Sequence, residues 1–344
     1  MSGTISKHLD GGAFAAALTS GIHRVLGEQE YLNRINVFPV ADSDTGTNLC
    51  LSLTPALGVL NAPGEKHMGT LLAALADALL DSARGNSGAI IAQFFQGMSD
   101  AAGDITRFTT YTFGKAVSLG SDYAHDALSQ PREGTILSVI AAFAESITHE
   151  VGAKSETEFP LVLAAALQRV DEALANTPNQ LDVLRKAGVV DSGAKGFAEI
   201  VAGIADYVQD GKMVPMPAIS IAHEIEPAVA FSEADNESHY RFCTECIVTG
   251  PDIDRRKLRE ALSELGDSLV LAGTKSKAKN HIHVDEPELV FDTAREFGNL
   301  SAEKADDMHR QQHATHNLKR RFAVITDSAA DISDADMERL DIHM

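Results

Sequence analysis

Two carboxylates in a tight, small-residue turn are the densest chemistry in the sequence: Asn36-Val-Phe-Pro-Val-Ala-Asp42-Ser-Asp44-Thr-Gly46-Thr47-Asn48. Hard oxygen ligands so arranged suit Mg²⁺, which takes one or two carboxylates and leaves its other positions to water and substrate phosphates. A calcium loop of the EF-hand type fails on register. Counted from Asp42, its obligatory glycine and glutamate fall on Thr47 and Leu53. The plainer alternative is a turn followed by a helix capped by Asp44 or Thr45.

Three more loops have the same character. Ala83-Arg84-Gly85-Asn86-Ser87-Gly88 precedes a predicted apolar helix over Ala89–Met98. Its glycines allow close backbone approach, and the helix start offers N–H groups to phosphate. No Lys-Ser or Lys-Thr follows, so it is not a Walker A loop. The others are Arg132-Glu-Gly134-Thr135 and Val190-Asp191-Ser-Gly193-Ala-Lys-Gly196. Each alone reads as a helix cap. Four together, one with paired aspartates, point to a nucleotide–metal site.

A different chemistry sits further on, in Cys243-Thr-Glu245-Cys246 and His281-Ile-His283. Alternate residues of a strand share a face, so His281 and His283 project together, whereas Cys243 and Cys246 project apart. One thiolate and two imidazoles are three zinc ligands, with a fourth position for water, substrate or another side chain; His309, His313 and His316 are candidates for it. The competing reading is a strand carrying partly exposed histidines. A thioredoxin-like Cys-x-x-Cys is disfavoured, because the pair does not open a helix after a strand.

The elements that must position these groups divide the chain. From Ser6 to about Lys212 the pattern is helical and alanine-rich, without convincing strands. Leu71, Leu72, Leu75, Leu79 and Leu80 make one face of a helix over Met68–Arg84, and Leu163, Leu167, Val170 and Leu174 do so over Leu161–Ala175. Val214–Tyr240 lacks Lys and Arg, carries three prolines, and reads as an extended linker with a short strand near Ala218–Ala222. A small α/β domain follows: strands at Cys243–Thr249, Ser268–Ala272 and Asn280–Asp285, helices at Arg255–Glu264 and Pro287–Phe297. A last strand, Phe322–Thr326, opens a βα-like unit with only about 20 residues after it, too few for a domain, so the chain reads as cut off. The 344 residues carry a net charge of −20, which disfavours nucleic acid and anionic lipid. No apolar run reaches transmembrane length and no signal peptide is evident. Three cysteines form no disulfide framework, and a reducing cytoplasm is expected.

The string from Asn36 to Asn48, with Ala-Arg-Gly-Asn-Ser-Gly, Glu-Gly-Thr-Ile-Leu and Ala-Gly-Val-Val-Asp-Ser-Gly in order behind it, resembles the kinase subunit of bacterial fatty acid kinase and the DhaL-type domain of dihydroxyacetone kinases. The resemblance implies an all-α barrel of about eight antiparallel helices over residues 1–212, binding ATP and two Mg²⁺ at one end. Asp42 and Asp44 match its metal-binding aspartates, and Asn36 lies near a further acidic ligand of related kinases. Thr47 and Asn48 lie where the loop meets metal and phosphate, Ser87 and Gly88 match the phosphate-contacting turn, and Thr135 and Asp191 match positions lining the nucleotide. The family loop usually reads Pro-Asp-Gly-Asp; Ala41 and Ser43 replace its Pro and Gly here. Residues 213–239 are then a linker. Residues 240–317 resemble the middle domain of the same kinase family, whose zinc site maps onto Cys243, His281 and His283. Residues 318–344 resemble the start of a DegV-type fatty-acid-binding domain. The implied reaction is ATP-dependent phosphorylation of a fatty acid carboxylate presented by a DegV-type carrier, in cis or in trans. Rival readings are a small-polyol kinase and a nucleotide- or zinc-binding module without turnover. A homodimer is compatible with the sequence, which leaves oligomeric state open.

Overall fold

The computed structural model describes residues 7–63, 67–153, 157–217, 240–274, 276–308, 324–325 and 342–343. Residues 1–306 form one compact unit and 307–344 a second.

Helices α1 (Gly11–Gly27), α2 (Gln29–Arg34), α3 (Thr45–Leu53), α4 (Ala56–Leu60), α5 (Met68–Ser82) and α6 (Gly85–Ala102) open the first unit. They are followed by α7 (Thr110–Asp126), α8 (Ile136–Ala153), α9 (Phe159–Gln180), α10 (Asp182–Ala187) and α11 (Ser192–Asp210). The starts are encoded locally. Asp10 accepts from the Ala13 N–H at 2.8 Å ahead of α1, and Thr109 and Thr112 form a reciprocal capping box ahead of α7. All five leucines assigned to the inner face of α5 are buried; on α9, Leu163 and Val170 are buried while Leu167 and Leu174 pack at the margin of the core. Edge-to-face rings run Phe14–Phe108–Phe113–Phe143–Phe197–Phe94, with centroids 5.4–6.5 Å apart. Helices α1 and α11 approach closely at Gly21 and Gly203, where a Cβ on either would come within 2.5 Å of the other helix's backbone.

The structure differs from the sequence reading in two places here. A pair of strands, β1 (His8–Asp10) and β2 (Arg107–Thr109), lies antiparallel where the pattern predicts only helix; three residues each are too few to show alternation. And α6 begins at Gly85 rather than Ala89, so Ser87 and Gly88 lie in its first turn.

The rest of this unit is a four-stranded sheet of order β4-β5-β3-β6, built from β3 (Phe242–Thr249), β4 (Asp267–Gly273), β5 (Lys277–Val284) and β6 (Asn299–Asp307). Helices α12 (Arg255–Ser263) and α13 (Pro287–Arg295) pack on one face. The strand β6 has no counterpart in the sequence reading, because a mostly exposed edge strand carries no apolar alternation. Along β5 the even positions Ala278, Ile282 and Val284 enter a core with Leu258, Leu262 and Val290. The odd positions Lys277, Lys279, His281 and His283 form a polar row on the opposite face. That row is not solvated: Lys279, His281 and His283 are buried, and the two lysines reach the end of α5. At the other edge, Leu271 N–H donates to Ala127 O at 2.9 Å, so the sheet is also stitched to the chain after α7.

In the second unit, Val324–Ile325 (β7) pairs in parallel with Ile342–His343 (β8), within the strand expected at Phe322–Thr326. The short strand near Ala218–Ala222 and the candidate ligands His309, His313 and His316 lie outside the described residues. No described helix is long and apolar enough to cross a membrane.

Candidate functional site: four helix-start loops and a Cys–His–His cluster

The Asp42–Asn48 loop is shaped by an amide. Buried Asn36 donates through Nδ2 to Val40 O (2.8 Å) and accepts at Oδ1 from both the backbone N–H (2.9 Å) and the hydroxyl of Thr45. Asn36 is thus engaged in holding the loop closed. Within the loop, Asp44 occupies the N-cap position of α3, yet its carboxylate makes no capping bond. Instead it is hydrogen-bonded to Asp42, whose carboxyl is held well above the usual range, first by burial and then by the charge of Asp44. Two carboxylates held together in a buried turn, each opposing the other's charge, are what a divalent cation relieves, so the pair fits Mg²⁺. Ser43, between them, has φ = 56°, the left-handed region that favours glycine.

Thr47 is fixed from α2. Its N–H donates to Asn33 Oδ1 at 2.9 Å, and its hydroxyl oxygen accepts from Asn33 Nδ2 (3.0 Å) and Gln29 Nε2 (3.3 Å). With both lone pairs engaged, Thr47 offers its O–H, which suits a phosphate oxygen better than a metal.

The other loops join this one by a continuous set of contacts. Asn48 lies over Gly85: a Cβ there would meet Asn48 Nδ2 at 3.0 Å, and Gly85 has φ = +57°. Ser52 of α3 accepts from the Arg84 N–H at 2.9 Å and sits against Gly88. Ser87 in turn abuts Gly193, where a Cβ would meet its Oγ at 2.5 Å. Asp191 caps α11 through Ala194 N–H (2.8 Å) and also accepts from the Ile136 N–H at the start of α8. Burial outweighs these bonds and raises Asp191 to about 6. Its own N–H donates to Thr177 Oγ1 at 3.1 Å. Thr135 closes its loop by donating to Arg132 O at 2.7 Å. The first turns of α3, α6 and α11 therefore meet, with Asp42 and Asp44 leading into α3. Side chains already take the N–H groups of Thr45, Thr47, Gly85 and Ala194, and the other first-turn N–H groups are the ones suited to a polyphosphate. Gln29, Asn33, Ser52 and Thr177 escape a reading of the sequence; each lies inside a helix and acts only through tertiary contact.

The second cluster follows from strand register. Antiparallel pairing sets Cys243 opposite His283 and Glu245 opposite His281. One ligand atom from each of Cys243, His281 and His283 falls within 4.8 Å of the others. His281 Nδ1 is 2.9 Å from Glu245 Oε1 and 3.5 Å from Cys243 Sγ. Burial opposes charge on both partners. Even so, the hydrogen bond and charge of His281 hold Glu245 near 2, and the charges of Cys243 and Glu245 raise His281 well above its ordinary value. His283 is pushed down to about 3 by burial and by His281, which leaves a neutral imidazole. A sulfur and two imidazoles backed by a carboxylate fit a borderline-soft divalent ion such as Zn²⁺. Cys246 points to the other face, donating to Asn280 Oδ1 at 2.8 Å, and burial lifts its thiol to about 12.

Comparison with known proteins gives two family matches. Residues 39–206 match the model of the DAK2 domain, and residues 239–316 that of the fatty acid kinase-like middle domain. Protein YloV of Bacillus subtilis is 34% identical over 321 residues, covering 90% of this chain and 57% of that protein. An uncharacterised protein of Staphylococcus saprophyticus is 31% identical over 320 residues, covering 90% and 56%. The chain thus spans little more than half the length of these relatives. The structure of a dihydroxyacetone kinase from C. freundii with AMP-PNP and Mg²⁺ superposes with a TM-score of 0.43 at 16% identity, covering 56% of this chain and 34% of that one.

Proposed function

Because the chain belongs among the kinases built from a DAK2 domain and a fatty acid kinase-like middle domain, we propose that it transfers the γ-phosphoryl group of ATP to the carboxylate of a fatty acid presented by a DegV-type carrier. The products are an acyl phosphate and ADP. Residues 1–212 are the kinase domain in this reading, 240–317 a zinc-bearing middle domain, and 318–344 carrier-domain sequence. The observation that carries it is the meeting of three helix starts, with the Asp42–Asp44 pair leading into one of them.

Asp42 and Asp44 would hold Mg²⁺, which would neutralise the phosphates and the charge that develops in transfer. The backbone N–H groups at the starts of α3, α6 and α11 that no side chain takes, with the hydroxyls of Thr47 and Ser87, orient the phosphate oxygens. Thr135 and Asp191 shape the neighbouring wall. Fixed donors of this kind cost no reorganisation as charge moves, and positioning with electrostatics supplies most of the rate of phosphoryl transfer. No general base is needed, since a carboxylate is already ionised at neutral pH. Zn²⁺ on Cys243, His281 and His283 would tie β3 to β5 and keep an open position.

The test is ATP turnover with Mg²⁺ and an acyl-loaded DegV-type carrier. Asp42→Ala is expected to lower kcat by about 10³-fold, the scale of a lost transition-state charge contact. Turnover unchanged by the substitution would sink the metal assignment. Turnover of dihydroxyacetone instead of acyl carrier would favour the polyol kinase, and nucleotide binding without turnover the regulatory module.

A further inference from the structure

The junction between α5 and α6 is held from the sheet by two buried side chains of opposite charge. Lys279 of β5 is 7% exposed and donates through Nζ to the backbone carbonyls of Ala83 and, at 3.4 Å, Asp81. Both carbonyls belong to the C-terminal end of α5, where the helix dipole is negative and the last C=O groups lack helical partners. Glu245 of the adjoining strand β3 is 5% exposed, and its Oε1 accepts from the N–H of Gly85, the first residue of α6, at 3.4 Å. There the dipole is positive and the N–H groups are the unpaired ones. An ammonium thus meets one helix end and a carboxylate the next, on either side of Arg84. Beside them Lys277 pairs with Asp81 and, at 3.2 Å, with Asp77, on the last turns of α5.

We propose that Lys279 and Glu245 are positioning residues that hold the Ala83–Gly88 turn, so that side chains of the sheet region set the phosphate affinity of the helical region. The proposal rests on reading that turn as phosphate-binding. Ordering the turn from outside leaves the remaining first-turn N–H groups of α6 free of side-chain caps; among the described residues Arg84, at the N-cap, makes none.

The experiment uses the full chain with two readouts: hydrogen exchange of the Gly85–Gly88 amides, and affinity for AMP-PNP with Mg²⁺. Lys279→Met is expected to speed exchange at this turn and weaken nucleotide binding by about tenfold each, with exchange in α8 unchanged. Lys279→Arg, which keeps charge and donors, should retain most of the protection. Glu245→Gln should act in the same direction but less, because its amide oxygen still accepts; Lys279→Gln, which keeps a donor without the charge, carries the test if Lys279→Met does not fold. Wild-type exchange at the turn in these variants, or acceleration spread evenly over the molecule, would overturn the proposal. A wild-type chain without nucleotide affinity would sink the kinase reading alone, since the exchange rates still judge the clamp.

Discussion

The two polar clusters of this molecule are built by opposite means. Around Asp42 the groups come from four loops far apart in sequence and are mostly backbone N–H donors, brought close because glycines and serines sit where bulkier residues would collide. In the sheet, Cys243, Glu245, His281 and His283 come from two paired strands, and strand register alone sets their spacing. Outside the Asp42–Asp44 pair and the side chains that brace the loops, the first arrangement depends on backbone position more than on side-chain identity. The second is the reverse. Substitutions that remove a side chain should therefore cost most in the sheet, and those that alter backbone preference should matter most in the loops.

The largest effect is expected at the buried pair His281–Glu245. Removing one partner leaves an uncompensated buried charge, so His281→Leu should cost about 3–5 kcal/mol in urea denaturation of the metal-free protein. The sign with pH follows from both shifts. Glu245, lowered to about 2, contributes stability above its ordinary 4.5 that is lost as pH falls through 2. His281, raised, contributes below its ordinary 6.5 and loses it as pH rises through its folded value. The pair is thus at full strength between about 4.5 and 6.5. A loss under 1 kcal/mol at pH 5.5 would show that register, not the ion pair, holds this cluster together. Elemental analysis of the same variant, with Cys243→Ser alongside, reads out zinc.

Asp191 offers a smaller test in the loop cluster. Its folded value near 6 lies above the ordinary 3.8, so ionising it at neutral pH opposes folding. Stability from this group is greatest below about pH 3.8 and falls as pH rises through 6. Asp191→Asn keeps a side-chain acceptor for the Ala194 N–H and removes the charge. It should stabilise the nucleotide-free protein by up to about 3 kcal/mol at pH 8 and by nothing near pH 3.5, compared by chemical denaturation at the two values. Equal effects at both would mean that burial does not oppose the Asp191 charge.

The same contrast explains what is readable in the sequence. The loops are legible because Gly, Asp and Ser before apolar periodicity have a local cause, and Asp191 proves to be the helix cap that such a pattern announces. Asn33 and Ser52 are not, since a polar residue within a helix looks the same whether it faces water or another loop. In the sheet, the two-residue period places His281 and His283 together, as their rings are found. Yet Lys277, Lys279 and Glu245 carry the alternation of a solvated face, and only the docked helices reveal that this face is buried. The strand β6 lacks any apolar face to betray it.

Ser43 gives the smallest effect and the sharpest one for the loop region. Its φ of 56° costs a side chain on the order of 1 kcal/mol, a cost glycine does not bear. Glycine also makes the unfolded chain more flexible, which offsets part of that gain. Ser43→Gly should therefore raise stability by about 0.5 kcal/mol at most while relaxing the geometry between Asp42 and Asp44. The telling measurement is Mg²⁺ dependence: an increase of about two- to threefold in Mg²⁺ affinity without a matching change in thermal stability would place the strain in the metal loop itself. Unchanged affinity would mean that the Asn36 bonds to Val40 and Thr45 already fix the loop, with the residue at position 43 following the shape they impose.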